Sequence, residues 1–220
     1  MGAGWSIGTG RGGGGIYAKP VSGLGASRLV KKEAAPVGLN AISYDGKLLA
    51  YVTNPGSASA RLWVHELAPE KTDAKDYPLL GKNFLEGTAQ FSPDGGWLAY
   101  MSGETGTREI YVVSFPSLST KVQISTSGGN NPRWRGDGKE LFYIGPDQNM
   151  TAVGLDMSGG SLRPGPPKVL FQTGARTPGS ADYVYDVTAD GQKFLVNSPP
   201  PEQGSKPITI YANWTEALKK

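Results

Sequence analysis

The chain has 220 residues, among them 32 glycines and 17 prolines, and its 22 Lys and Arg against 19 Asp and Glu leave a formal charge of only +3. Cationic residues are scattered, with short pairs only at Lys31-Lys32 and Lys219-Lys220, which speaks against nucleic acid as a partner. There is no cysteine and no apolar run near the ~20 residues of a membrane span, which excludes disulfides, thiolate metal sites, a cysteine nucleophile and membrane insertion by a helix of this segment.

The first stretch, GAGWSIGTGRGGGGIYAKPV (2–21), fits three motif patterns at once. Gly4 to Gly8 spell G-x-S-x-G around Ser6, Gly8 to Gly13 spell G-x-G-x-x-G, and Met1-Gly2 with Ser6 matches an acylation signal. Each lacks its context. A nucleophile elbow sits between a strand and a helix and needs a histidine after an acid, yet the only histidine is His65. The dinucleotide fingerprint must open a helix, and these glycines run into the strand-like Ile16-Tyr17. The stretch reads better as the end of a strand, a glycine-rich loop and a following strand, with Ser6 beside Ser102 and Ile16-Tyr17 beside Ile110-Tyr111 of a later segment. SRLVKKE (27–33) then supplies one more strand, so residues 1–33 are a partial structural unit.

Four further segments align on Asp-Gly pairs: SYDGKLLAYV (43–52), SPDGGWLAYM (92–101), RGDGKELFYI (135–144) and TADGQKFLVN (188–197). The pairs are Asp45-Gly46, Asp94-Gly95, Asp137-Gly138 and Asp190-Gly191, and the aspartates recur 49, 43 and 53 residues apart. Such a period marks a solenoid or a propeller. A first strand ends in each pair, because glycine takes the positive φ that a tight hairpin needs. A second strand follows at once. A third is exemplified by RLWVHEL (61–67), EIYVVSF (109–115) and ITIYANW (208–214), and a fourth by KVQIST (121–126) and KVLFQT (168–173). The second strands are nearly all apolar, as a sheet buried on both faces requires. The fold class is therefore all-β, a β-propeller of four-stranded antiparallel blades. About four to five blades are present, the first incomplete; residues 34–214 hold four repeats, the last of three strands, and residues 215–220 form a tail.

The segment FSPDGGWLAYMSGETGTREIYVVSFP (91–116) resembles the repeat of TolB-type, WD-repeat-like bacterial β-propellers, whose hallmark is a Ser-Pro-Asp-Gly turn before an apolar strand. The continuation through NPRWRGDGKELFYI, YDVTADGQKFLV and ITIYANWTEALKK resembles the C-terminal propeller region of bacterial serine/threonine protein kinases. The resemblance implies a binding or sensing module without catalysis or cofactor, extracytoplasmic and part of a membrane-anchored parent. Its implied partners are a protein, peptide or envelope glycan, together with upstream blades of the same propeller. No H-R-D, D-F-G or V-A-I-K signature occurs, so this segment is not itself a kinase. Two other readings stay open: the gating propeller of a prolyl-oligopeptidase-like serine peptidase, and a free-standing TolB-like envelope adaptor.

The four Asp-Gly aspartates are turn residues, a blade apart, and not calcium ligands. His65, on a strand and without a second histidine, makes a thin metal site. Arg133 and Arg135 flank Trp134, which matches Phe91 and belongs to the core; the arginines point to the other face, to rim an axial channel, pair between blades or contact a ligand.

Overall fold

The computed structural model describes residues 5–9, 15–22, 24–67, 74–79, 84–158, 161–175 and 183–198, and among them there is no α-helix. The strands form five antiparallel sheets that follow one another along the chain. The first holds β1 (Trp5–Thr9), β2 (Ile16–Pro20) and β3 (Arg28–Lys31). The second holds β4 (Val37–Ile42), β5 (Leu48–Thr53), β6 (Arg61–Glu66) and β7 (Asp76–Pro78). The third holds β8 (Glu86–Phe91), β9 (Trp97–Ser102), β10 (Glu109–Ser114) and β11 (Lys121–Gln123). The fourth holds β12 (Asn130–Trp134), β13 (Glu140–Ile144), β14 (Asn149–Asp156) and β15 (Arg163–Gln172). The fifth begins with β16 (Tyr185–Val187) and β17 (Phe194–Val196). The expected strand at 208–214 and the tail lie outside the described residues.

The apolar second strands explain how these sheets stack. Side chains alternate across a strand, so a strand apolar at every position serves two layers at once. Leu49 and Tyr51 of β5 pack towards Ile16 and Val30 of the first sheet, whereas Ala50 and Val52 join Phe91, Leu98 and Tyr100 of the third. Ala99 and Met101 of β9 pack with Trp134, Leu141 and Tyr143 of the fourth sheet, while Phe142 and Ile144 of β13 meet Val184 and Tyr185 at the start of the fifth. Each large side chain so buried contributes ~1.5–3 kcal/mol, so the layers between sheets hold the molecule together.

The Asp-Gly turns share one design. The carbonyl of Ser43 accepts from Gly46 N at 2.8 Å, and Gly46 takes φ 72° before β5 departs. Gly95, Gly138 and Gly191 repeat this with φ of 74°, 73° and 72°. At three turns a hydroxyl bonds the aspartate: Ser43 to Asp45 at 2.6 Å, Ser92 to Asp94, and Thr188 to Asp190. At the remaining turn Arg135 replaces the hydroxyl, gripping both oxygens of Asp137 at 2.8 and 2.9 Å and reaching Glu140 at 2.8 Å. Each aspartate also accepts a backbone N–H two residues on, at 3.0–3.1 Å. Successive turns touch: Gly136 N donates to the Ala189 carbonyl at 2.8 Å, and a Cβ on Gly136 would lie only 2.9 Å from that of Ala189.

The bonds to Asp45, Asp137 and Asp190 favour the carboxylate over the acid. The Arg135 guanidinium holds Asp137 down at about 2, and hydroxyl bonds from Ser43 and Thr188 lower Asp45 and Asp190. A group depressed in the folded state stabilises the fold above its unfolded pKa, near 3.8 here, and loses that effect as pH falls through its folded value. Stability is therefore expected to fall between about pH 4 and pH 2. In urea titrations across that range, Arg135→Ala should flatten the dependence by removing the share of Asp137; an unchanged slope would contradict the assignment.

Two elements differ from the sequence reading. In the first sheet Ile16 lies opposite Thr9, as Ile110 lies opposite Met101, so Thr9 and not Trp5 takes the place of Met101 and Ser6 does not match Ser102. The strand runs on through Gly8, which pairs with Tyr17; an aromatic residue opposite a glycine lets the glycine stay within a ladder. Second, β15 begins at Arg163, ahead of the expected KVLFQT, despite Pro164, Pro166 and Pro167. It is the outermost strand of its sheet, where the missing proline N–H groups cost little.

Candidate functional site

Because the strands alternate in direction, the β9–β10 and β13–β14 loops and the β11–β12 connection emerge at the end opposite the Asp-Gly turns. Here the third and fourth sheets part around an open cleft of about 390 Å³. Its walls are Thr107 and Arg108 on one loop and Pro146, Asp147 and Gln148 on the other, and Gly128, Gly129 and Asn130 form its floor.

The floor is set by a buried carboxylate. Glu109, 3% exposed, accepts from Gly128 N at 2.9 Å and from the Ser125 hydroxyl, whose oxygen accepts Ile110 N at 2.8 Å. Gly129 N reaches the Arg108 carbonyl at 2.8 Å, tying floor to wall. A side chain at Gly129 would meet Ile110 and Ser125 at 2.7 Å, so glycine is required for this close approach.

The Asp147 wall is a 3-10 turn, Pro146–Gln148, in which two successive non-glycine residues adopt left-handed backbone, Asp147 at φ 54° and Gln148 at φ 60°. It is pinned from all sides. Gly145 N bonds the Asn149 carbonyl at 2.8 Å, Gln172 Nε2 bonds the Asp147 carbonyl at 3.2 Å, and Thr173 donates its N–H at 2.9 Å and its hydroxyl at 2.7 Å to the Gln148 carbonyl. Asp tolerates this conformation better than Gln. Gln148→Gly is accordingly expected to raise the unfolding free energy by about 0.5–1 kcal/mol, read from the urea midpoint, and Asp147→Gly by less.

Arg108 and Asp147 are exposed, and neither side chain has a hydrogen-bond or ion-pair partner among the described residues, nor do they pair with each other.

The residues singled out from sequence lie elsewhere. Asp45, Asp94, Asp137, Asp190 and their glycines are in the turns. Arg135 is engaged by Asp137 and Glu140 at that same end. Arg133 joins two blades: its guanidinium stacks on the Tyr183 ring at 3.9 Å and its Nε lies 3.7 Å from Asp186. Tyr183 donates in turn to the Ala89 carbonyl at 2.6 Å. Gln90, one blade back from Arg133, accepts Trp134 N at 2.7 Å. Trp134 itself is 3% exposed and packs in the core. His65, also buried, contacts Asp76 at 2.9 Å, and Asp76 binds Lys31 of the preceding sheet at 2.7 Å. The cleft residues escaped the sequence reading because they come from three loops and look like ordinary polar loop positions; the one local signal is Asp147-Gln148, where the β9–β10 loop has Gly106 at positive φ instead.

Consecutive four-stranded antiparallel sheets, stacked through both faces and registered by a repeated Asp-Gly turn, define a β-propeller, here a partial one. Solved structures with this arrangement are TolB-like propeller proteins. TolB from Acinetobacter baumannii superposes with a TM-score of 0.57 at 18% identity over 82% of this chain and 42% of its own. A TolB-designated protein from Agrobacterium tumefaciens gives 0.53 at 22% identity over 72% of this chain and 58% of its own. A puromycin hydrolase gives 0.51 at 18% identity over 68% of this chain and 26% of its own. The chain thus spans less than two thirds of each. No protein-family model matches the sequence, and no curated protein matches it.

Proposed function

We propose that this chain is a non-catalytic recognition propeller, part of the extracytoplasmic C-terminal region of a larger bacterial protein such as a membrane-anchored serine/threonine kinase. The contrast between its two ends carries the reading. At the Asp-Gly end the turn residues recur from blade to blade and are consumed by one another. At the other end Arg108 and Asp147 line a cleft on well-braced loops, and neither side chain has a partner among the described residues. Propellers place recognition on such loops and use the stacked sheets as scaffold. Support for the kinase parent comes from the sequence resemblance of the segments around Asp137 and Asp190.

The chain immobilised and probed with peptide and envelope-glycan libraries is expected to retain one class, with retention lost in Arg108→Ala or Asp147→Asn. Retention indifferent to both substitutions counts against recognition at this end. The reading frame holding the chain tests the parent: kinase signatures and a membrane span ahead of it support the proposal. A hydrolase domain after it favours the second reading, a peptidase-gating propeller, which draws on the likeness to the puromycin hydrolase.

A further inference from the structure

We infer that the cleft between the β9–β10 and β13–β14 loops takes a small zwitterion, a ligand carrying an ammonium and a carboxylate such as a short peptide with free ends. The inference rests on the recognition reading above and specifies its ligand.

Opposite charges in one cleft ordinarily find each other, since at a few ångströms their attraction exceeds thermal energy even near a protein surface. Arg108 and Asp147 do not: both line the cleft, neither has a partner among the described residues, and they belong to different blades. Two features keep them apart. The Arg108 loop is tied to the floor by the bond from Gly129 N to its carbonyl. Asp147 sits in a turn that Gln172, Thr173 and Asn149 hold in left-handed backbone. Strained backbone held by its surroundings clusters at ligand sites, and here it fixes the backbone position from which the Asp147 carboxylate extends.

A ligand completing this arrangement offers a carboxylate to the guanidinium, which binds it through two parallel N–H groups. It offers an ammonium to Asp147. The floor between them carries no side chain at Gly128 or Gly129, so a ligand backbone can lie close against it. A volume of about 390 Å³ falls at the lower end of small-ligand sites and suits a peptide of two residues or so. A neutral sugar would leave both charges unanswered, and a simple anion would leave Asp147 opposing it.

Calorimetry on the full chain with dialanine, N-acetyl-dialanine, dialanine amide and free alanine tests this. Dialanine is expected to bind, and blocking either end should weaken binding about tenfold, as loss of one partly exposed charged contact does. The substitutions then separate the ends. Arg108→Ala should erase the effect of amidation and keep that of acetylation, and Asp147→Asn, which keeps a residue tolerant of left-handed backbone, should do the reverse. Free alanine binding as tightly as dialanine assigns the site to amino acids, and weaker binding assigns it to peptides; either supports the zwitterion. No dialanine binding, or end-block effects that survive both substitutions, overturns it. If another library class is nonetheless lost on Arg108→Ala, the recognition reading stands while this ligand assignment falls.

Discussion

Trp134→Ala is expected to lower the unfolding free energy by about 3–5 kcal/mol, the range for removing a large aromatic side chain from a packed core. Trp134 is 3% exposed and packs with Ala99, Met101, Leu141 and Tyr143 in the layer between the third and fourth sheets. It is also hydrogen-bonded across that layer, donating its backbone N–H to Gln90 Oε1 at 2.7 Å and its indole N–H to the Gln90 carbonyl at 3.1 Å. Trp134→Phe separates the two contributions. It keeps most of the ring and the backbone bond and loses the indole bond, at a cost of about 1 kcal/mol plus a small cavity. Urea unfolding measures both, and a near-neutral Trp134→Ala would mean that this layer does not bear the load assigned to it. The two sheets it joins are the walls of the cleft, so the alanine variant should also weaken any ligand held between Arg108 and Asp147.

The role of Trp134 was open to sequence because it follows from a repeat. Trp134 stands where Phe91 stands one unit earlier, and both are buried. The same logic gave the second strands, whose unbroken apolar runs at 48–52 and 141–144 demand two buried faces, and the turns, which need glycine at positive φ. Repetition fails as a guide where one unit departs from the others. Arg133 and Arg135 read as equivalent flanking cations, but Arg135 had only to replace a Ser or Thr hydroxyl in its turn, whereas Arg133 meets Tyr183 and Asp186 of the next blade. Gly8 reads as loop because its composition is read without the Tyr17 that lies opposite it. The cleft is hardest of all. Arg108, Gly128 and Asp147 come together only when adjacent blades stack, and nothing local in the sequence ties one loop to the next.

Glu109 couples that cleft to the fold, and Glu109→Ala should cost about 2–4 kcal/mol, as stripping two buried donors of their acceptor does. The carboxylate is 3% exposed and bonds the Ser125 hydroxyl and Gly128 N. Removing it strands Gly128 N beneath the floor and frees Ser125 to turn away from Ile110 N, the amide at the head of β10. Glu109→Gln is the informative companion. Its shape is retained and its amide oxygen can still accept Gly128 N, but its NH2 then faces the Ser125 hydroxyl, which must turn its own proton elsewhere, and the charge on the acceptor is lost, so about half the loss is expected. The damage should also be local in a way a cavity mutation is not: amide exchange at Gly128, Gly129 and Ile110 should accelerate in the glutamine variant more than exchange along β5. Uniform acceleration across all sheets would show that Glu109 merely adds to global stability. Confined acceleration would show that one buried acid at the start of β10 holds the β11–β12 connection that forms the floor of the cleft.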